Sequence, residues 1–304
     1  MYLLLALAVL LGASKNIFTK IVKKNSATFF DTMKMNVITF AFAFAVVFLM
    51  NMPSVNIFEV PWFLVICYAV CTLLSQIALM KAVELGSVSI SSLFYSCGFL
   101  LPTLFGSIHY SETLNALHII GMVLIVFSFV CSAKKENGKT FKLGWLLAAL
   151  GGLFFSGMVG IMQKIFTNDY TQYKLNDFLC VAFLLIILMS AVAMGILHLC
   201  RKRKSDLQPM GEQTENKKKT LLLVKQYGFT VALGVVMGLV NKTNMYLSGV
   251  LPSVIVFPVI NGGVILTTTV LSVIFFKEKL SLLQKIGLLV GILGIISITV
   301  GKII

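Results

Sequence analysis

Residues 78–133, ALMKAVELGSVSISSLFYSCGFLLPTLFGSIHYSETLNALHIIGMVLIVFSFVCSA, align without a gap on residues 244–299, NMYLSGVLPSVIVFPVINGGVILTTTVLSVIFFKEKLSLLQKIGLLVGILGIISIT. In this register Glu112 falls on Glu278, Leu114 on Leu280 and Gly121 on Gly287. A second match reaches the start of the chain: ALAVLLGASKNIFTKIVKKN (6–25) lies on LGGLFFSGMVGIMQKIFTND (150–169), which places Lys20 on Lys164 and Asn25 on Asp169. The chain therefore reads as two related halves, each apolar enough to sit in lipid. The later copies are further apart than the earlier ones, so the second half must carry extra residues. They are the polar loop RKRKSDLQPMGEQTENKKK (201–219), long where its counterpart NMPSVNIFEVP (51–61) is short.

Composition sets the class independently of the repeat. With 58% hydrophobic and 12% charged residues and a mean hydropathy of +0.97, a chain of 304 residues has too much apolar surface for a water-soluble fold. Segments of about 20 apolar residues, the length that crosses a hydrocarbon core, fall at 2–22, 32–51, 61–83, 87–109, 113–133, 143–167, 177–200, 227–248, 252–276 and 282–303. The runs are continuous rather than alternating, which favours helices over barrel strands. The first segment lacks the basic start of a secretion signal and has a counterpart in the second half, so it is expected to be a mature helix.

The predicted fold is thus an all-α polytopic membrane protein of ten transmembrane helices. Residues 1–134 form one five-helix repeat and 143–304 the other, joined by a linker at 135–142 and carrying a loop at 201–226. Of the 25 Lys and Arg, all but Lys174, Lys302 and three intramembrane lysines sit in loops after odd-numbered segments. Basic loops stay in the cytoplasm, so both termini are expected outside, in a multi-pass protein of a bacterial plasma membrane. Five spans per half is an odd number, which makes the two copies an inverted repeat. The net charge of +14 follows from these loops; it does not call for nucleic acid, because no folded soluble module accompanies it.

The tail of each half resembles the drug/metabolite transporter superfamily, and the chain is similar to EamA-type permeases. A short turn (Glu84 to Gly86; Val250 to Pro252) precedes the fourth helix of the half. A Glu then opens the next turn (Tyr110 to Glu112; Phe276 to Glu278), and the last helix carries a Gly (Gly121; Gly287). The stretches YLSGVLPS (246–253) and GGVILTTTVLSVIFFKEKLS (262–281) also resemble nucleotide-sugar transporters. The resemblance implies a central cavity between the halves, lined by segments 1, 3, 4, 6, 8 and 9.

A Lys near the bilayer centre costs about 2.5–3.5 kcal/mol, so it is kept where water, a partner or a solute relieves it. Lys15, Lys164 and Lys242 qualify. Every acid lies in a loop or at a predicted helix end, so these cations are expected to lack acidic partners at their own depth. They should suit an anionic or carboxylate-bearing solute. Polar neighbours at similar depth complete the candidate solute site: Lys15, Asn16, Gln76, Tyr95, Ser96, Asn241, Lys242 and Asn261. The pseudo-symmetric Lys20 and Lys164 are the candidate gates.

Glu112 and Glu278 are expected to be structural, capping the helix that follows each turn, with Gly121 and Gly287 serving packing. Ser281 and Gln284 have capping-box spacing. Pro102 and Pro258 are candidate kinks.

The six Cys lack CxxC spacing and are expected as packed thiols. His109, His118 and His198 are too scattered for a metal site. No catalytic cluster or phosphate-binding GxxxxGK[ST] motif occurs. The expected activity is therefore not enzymatic but secondary transport of a small polar metabolite by alternating access. No cofactor or metal is expected, and the partners are solute and lipid, with the protein a monomer or homodimer. Export of cationic or lipophilic drugs is the alternative, ahead of a non-transport membrane enzyme or a channel; the membrane Glu that small multidrug exporters of this superfamily carry on the first helix is replaced by Lys15 and Asn16.

Overall fold

The computed structural model describes residues 1–23, 29–50, 56, 58–86, 88–132, 143–205, 217–276 and 281–301. Glu278, the linker at 135–142 and the loop at 206–216 lie outside them. The described chain is helical throughout: α1 (Tyr2–Lys23), α2 (Phe29–Leu49), α3 (Trp62–Leu85), α4 (Val88–Ser96), α5 (Leu100–His109), α6 (Ala116–Ser132), α7 (Leu143–Asp169), α8 (Leu175–Ser205), α9 (Lys217–Val250), α10 (Ser253–Phe276) and α11 (Leu282–Gly301). Eight of these spans are long and apolar enough to cross a membrane, α4 and α5 counting as one, and α6 is a shorter apolar helix. Such a set is consistent with an integral multi-pass membrane protein. Large apolar side chains such as Val123, Leu147, Leu188 and Leu289 point outward, as lipid-facing positions do.

α4 and α5 form one span interrupted by a 3-10 turn at Cys97–Phe99. The break has a local cause. Pro102 has no N–H to return to the carbonyl four residues back, so the backbone tightens just before it. Pro258 by contrast lies inside the continuous helix α10. α8 runs on to Ser205 and α9 begins at Lys217, so both helices extend into the segment read from sequence as loop. Lys and Arg are good helix formers, and once a helix has begun in lipid each further turn adds hydrogen bonds at little cost.

Three of the helix pairs are antiparallel. α3 and α7 are antiparallel: Tyr68 meets Gln163, and Ser91, just beyond α3, meets Trp145. α1 and α9 are also antiparallel, with Leu5 clustered with Leu247 and Val22 with Leu233. α6 and α11 are antiparallel as well: Asn115 Nδ2 donates to Gly301 O at 2.6 Å and Ser128 Oγ to Gly287 O at 2.6 Å. Small residues permit the closest approaches. A side chain at Gly234 or Gly238 would collide with the α2 backbone at Thr39 or Ala43, so α9 lies directly on α2. Gly121 and Gly287 both belong to the α6–α11 contact.

Helix ends are satisfied in recognisable ways. Gln284 Oε1 accepts from Ser281 N–H and Ser281 Oγ accepts from Gln284 N–H, at 3.0 and 3.3 Å, which is the expected capping box. Asn115 Oδ1 accepts from His118 N–H at 3.1 Å while His118 Nδ1 accepts from Asn115 N–H at 3.2 Å, so the start of α6 is capped by Asn115 and not by Glu112. The five cysteines whose side chains are described are free thiols.

Candidate functional site

Six helical spans converge on a cavity of about 170 Å³. Lys15 of α1 reaches it, with Tyr68, Thr72, Ser75 and Gln76 of α3 and Tyr95, Gly98, Phe99 and Pro102 of the α4–α5 span. Opposite are Ser156, Val159, Gly160 and Gln163 of α7, Asn241 and Asn244 of α9, and Phe257, Ile260 and Asn261 of α10. Among the described residues that line it, Lys15 is the sole charge; amides and hydroxyls supply the remaining polarity.

The amides are organised by hydrogen bonds that cross helices. Tyr68 Oη donates to Asn241 Oδ1 at 2.9 Å and accepts from Gln163 Nε2 at 3.4 Å, tying α3 to both α9 and α7. Asn241 Nδ2 donates to Met237 O at 2.9 Å, and Asn261 Nδ2 to Phe257 O at 2.9 Å, so two of the amides are anchored on their own helices. Ser156 Oγ donates to Tyr95 O at 2.9 Å, joining α7 to the fourth span at the level of the 3-10 turn. This wall is built: groups that lose a partner in lipid are costly, so each linkage restrains the next.

Of the eight sequence-predicted solute residues, Lys15, Gln76, Tyr95, Asn241 and Asn261 line the cavity. Asn16, Ser96 and Lys242 do not. Asn16 Nδ2 donates to Thr268 Oγ1 at 3.4 Å, fastening α1 to α10. Ser96 Oγ donates to Ser92 O. The Lys242 Nζ lies 3.8 Å from Met50 Sδ, beyond the end of α2. Each of these three follows a cavity residue in sequence, and one step along a helix rotates a side chain by about 100°. Tyr68, Gln163 and Asn244 were not singled out from the sequence. The spacing of Ser156, Val159, Gly160 and Gln163 at i, i+3, i+4 and i+7 was the available signal for Gln163.

The expectation that no deep lysine meets an acid is corrected at Lys164. Its Nζ lies 2.8 Å from Glu112 Oε1, with the two side chains 5% and 11% exposed. The same ammonium donates to Ser248 O at 3.1 Å and Leu251 O at 3.4 Å, at the C-terminal end of α9. Glu112 Oε2 accepts from Ser253 N–H at 2.6 Å and Oε1 from Ser253 Oγ at 3.4 Å, at the N-terminal end of α10. Cation and anion therefore each sit at the helix end whose dipole favours them. Glu112 caps a distant helix and not its own successor. An acid placed by its neighbours in sequence was legible as a turn residue; its partner, on a helix far along the chain, was not.

The turn that delivers Glu112 is unusual. Ser111 has φ 52°, the described non-glycine residue with positive φ, a conformation that costs about 1 kcal/mol or more for an L residue. Ser107 Oγ donates to Glu112 O at 3.0 Å and holds the turn from below. Tyr110 places its ring 5.8 Å from the Lys164 ammonium, within cation–π range, and its Oη donates to Asp169 Oδ2 at 2.8 Å. Desolvation, then the bond to Asp169 and the nearby acids, hold the Tyr110 phenol above its usual range, so it remains a neutral donor. A Cβ on Gly106 would strike Ser253 and the Glu112 carboxylate. Glycine is required there for α5 to reach the start of α10.

Lys20, aligned with Lys164, is exposed. Its aligned acid, Glu278, lies outside the described residues.

No family model matches this chain, and no curated protein matches it. Among solved structures, 29 chains match; one crystal structure superposes with a TM-score of 0.74 over 98% of this chain and 96% of its own, at 15% identity. At that identity the likeness concerns the fold alone.

Proposed function

We propose that this protein is a secondary transporter of the drug/metabolite transporter type. It moves a compact polar metabolite bearing a carboxylate or another anionic group by alternating access. The observation that carries the reading is the lining of the cavity, in which Lys15 is the one charged side chain among the described residues and amides and hydroxyls of the surrounding spans supply the remaining polarity. An ammonium at a polar cavity attracts an anionic solute and repels a cationic one.

The inverted repeat is supported by the way contacts recur under the sequence alignment. The antiparallel pair α3–α7 has its counterpart in α9–α1, the pairing of α7 with the fourth span has its counterpart in α1–α10, and α6 meets its own counterpart α11. Two bundles related in this way can rock around a central site. With the basic loops in the cytoplasm, the end of the molecule that holds Lys164 and Glu112 is the outer one, and Lys20 belongs to the inner end. A volume of about 170 Å³ is below the 300–1,000 Å³ of drug-sized pockets and favours a solute much smaller than a nucleotide sugar.

Uptake into liposomes of the purified protein, screened across amino acids, organic acids, nucleotides and sugars, tests this directly. The expected result is saturable transport of at least one small carboxylate, reduced about tenfold by K15M, a change of about 1.4 kcal/mol. Transport confined to cations and indifferent to K15M would refute it.

The alternative, export of lipophilic compounds, has one observation in its favour. An apolar cleft of about 470 Å³ runs between α1, α10 and α11, lined by residues including Leu5, Val9, Leu251, Val259 and Ile295. The same screen extended to lipophilic cations separates the two.

A further inference from the structure

We propose that Glu112 and Lys164 form a releasable latch that shuts the cavity at their end, and that the pair opens in every transport cycle. This rests on the transporter reading above and adds to it the partner, the parts that move and the strained turn.

Four chain segments meet at one point. Lys164 is on α7, Glu112 on the turn after α5, Ser248 and Leu251 close α9, and Ser253 opens α10. All of these helices also line the cavity. Val159 faces the cavity on α7, just over a turn before Lys164, so the ion pair sits directly beyond the chamber on the same helix. With the pair made, α5, α7, α9 and α10 are drawn together and the way out along α7 is closed. Parting the pair releases the turn after α5 and the start of α10 from α7, while the end of α9 stays tied to Lys164.

Two features set the pair apart from a passive staple. It is held in a conformation with positive φ at Ser111, so relaxing the turn withdraws Glu112. Its contacts are also exchangeable: the ammonium keeps two carbonyls and the Tyr110 face when Glu112 leaves, so neither state strands a bare cation. An element with two satisfied arrangements is what a gate needs.

The test is sidedness of access. In a background without native cysteines, V159C is exposed to a membrane-impermeant thiol reagent on the face bearing Tyr110 to Glu112. Slow labelling is expected with the latch intact, and labelling about tenfold faster in E112Q. The double variant E112L/K164M removes both charges without leaving either buried alone and is expected to be folded, with the same faster labelling. Wild-type labelling rates in both variants would overturn the latch, and so would loss of folded protein in both, since that marks a purely structural pair. No solute is needed, so a failed uptake screen leaves this result readable, and unchanged labelling leaves the transporter reading standing.

Discussion

Lys164 and Lys20 occupy the same position in the two halves of one repeat, yet one is sealed into the protein and the other is exposed. Lys164 is tied to Glu112, to the end of α9 and to the ring of Tyr110. Two aligned lysines therefore differ in burial. The residues that frame Lys164 are not all repeated in the alignment: Tyr110 falls on Phe276, Gly106 on Ser272 and Asp169 on Asn25.

The largest expected effect falls on the sealed end. Removing Lys164 leaves the Glu112 carboxylate buried without its counter-charge, so K164A should destabilise the protein by about 3–5 kcal/mol, read as thermal unfolding in detergent, and E112A, which leaves the ammonium two carbonyls, by less. E112L/K164M should recover most of that loss. If K164A unfolded like wild type, the contrast between the two lysines would disappear.

Next in size is the chamber. K15M should lower solute uptake about tenfold, roughly 1.4 kcal/mol, whereas K242M should change it less than about twofold, because the Lys242 ammonium lies against Met50. Equal losses would mean that both cations face the solute. A smaller effect is expected from Y110F. It removes the hydrogen bond to Asp169 while keeping the ring over Lys164, and should cost about 1 kcal/mol, visible as faster labelling of V159C from the face bearing Tyr110. The smallest is K20A, an exposed position, with stability changed by no more than about 0.5 kcal/mol. A K20A loss comparable with K164A would show that the two ends are equally closed in solution.

Much of the fold was legible because lipid enforces a simple rule: apolar runs of spanning length become helices. α3, α7 and α10 lie close to the segments read for them. The misplaced ends, at α8 and α9, are where basic residues left the apolar pattern but continued the helix. The candidate site was legible to the depth of a residue and no finer. Lys15, Tyr95 and Asn241 line the cavity, while Asn16, Ser96 and Lys242, one step along, turn to neighbouring helices. Depth depends on position within a span, which the sequence records. Direction depends on which helix stands alongside.

Hydropathy and the copied segments were enough to specify an all-helical chain of apolar spans in two related halves, with charges rare within the spans. Folding was required to join Glu112 to Lys164, and to turn Lys15 toward the cavity and Lys242 away from it. Those outcomes arise between residues far apart in the chain, where a few ångströms of helix placement govern whether a charge is buried, paired or wet.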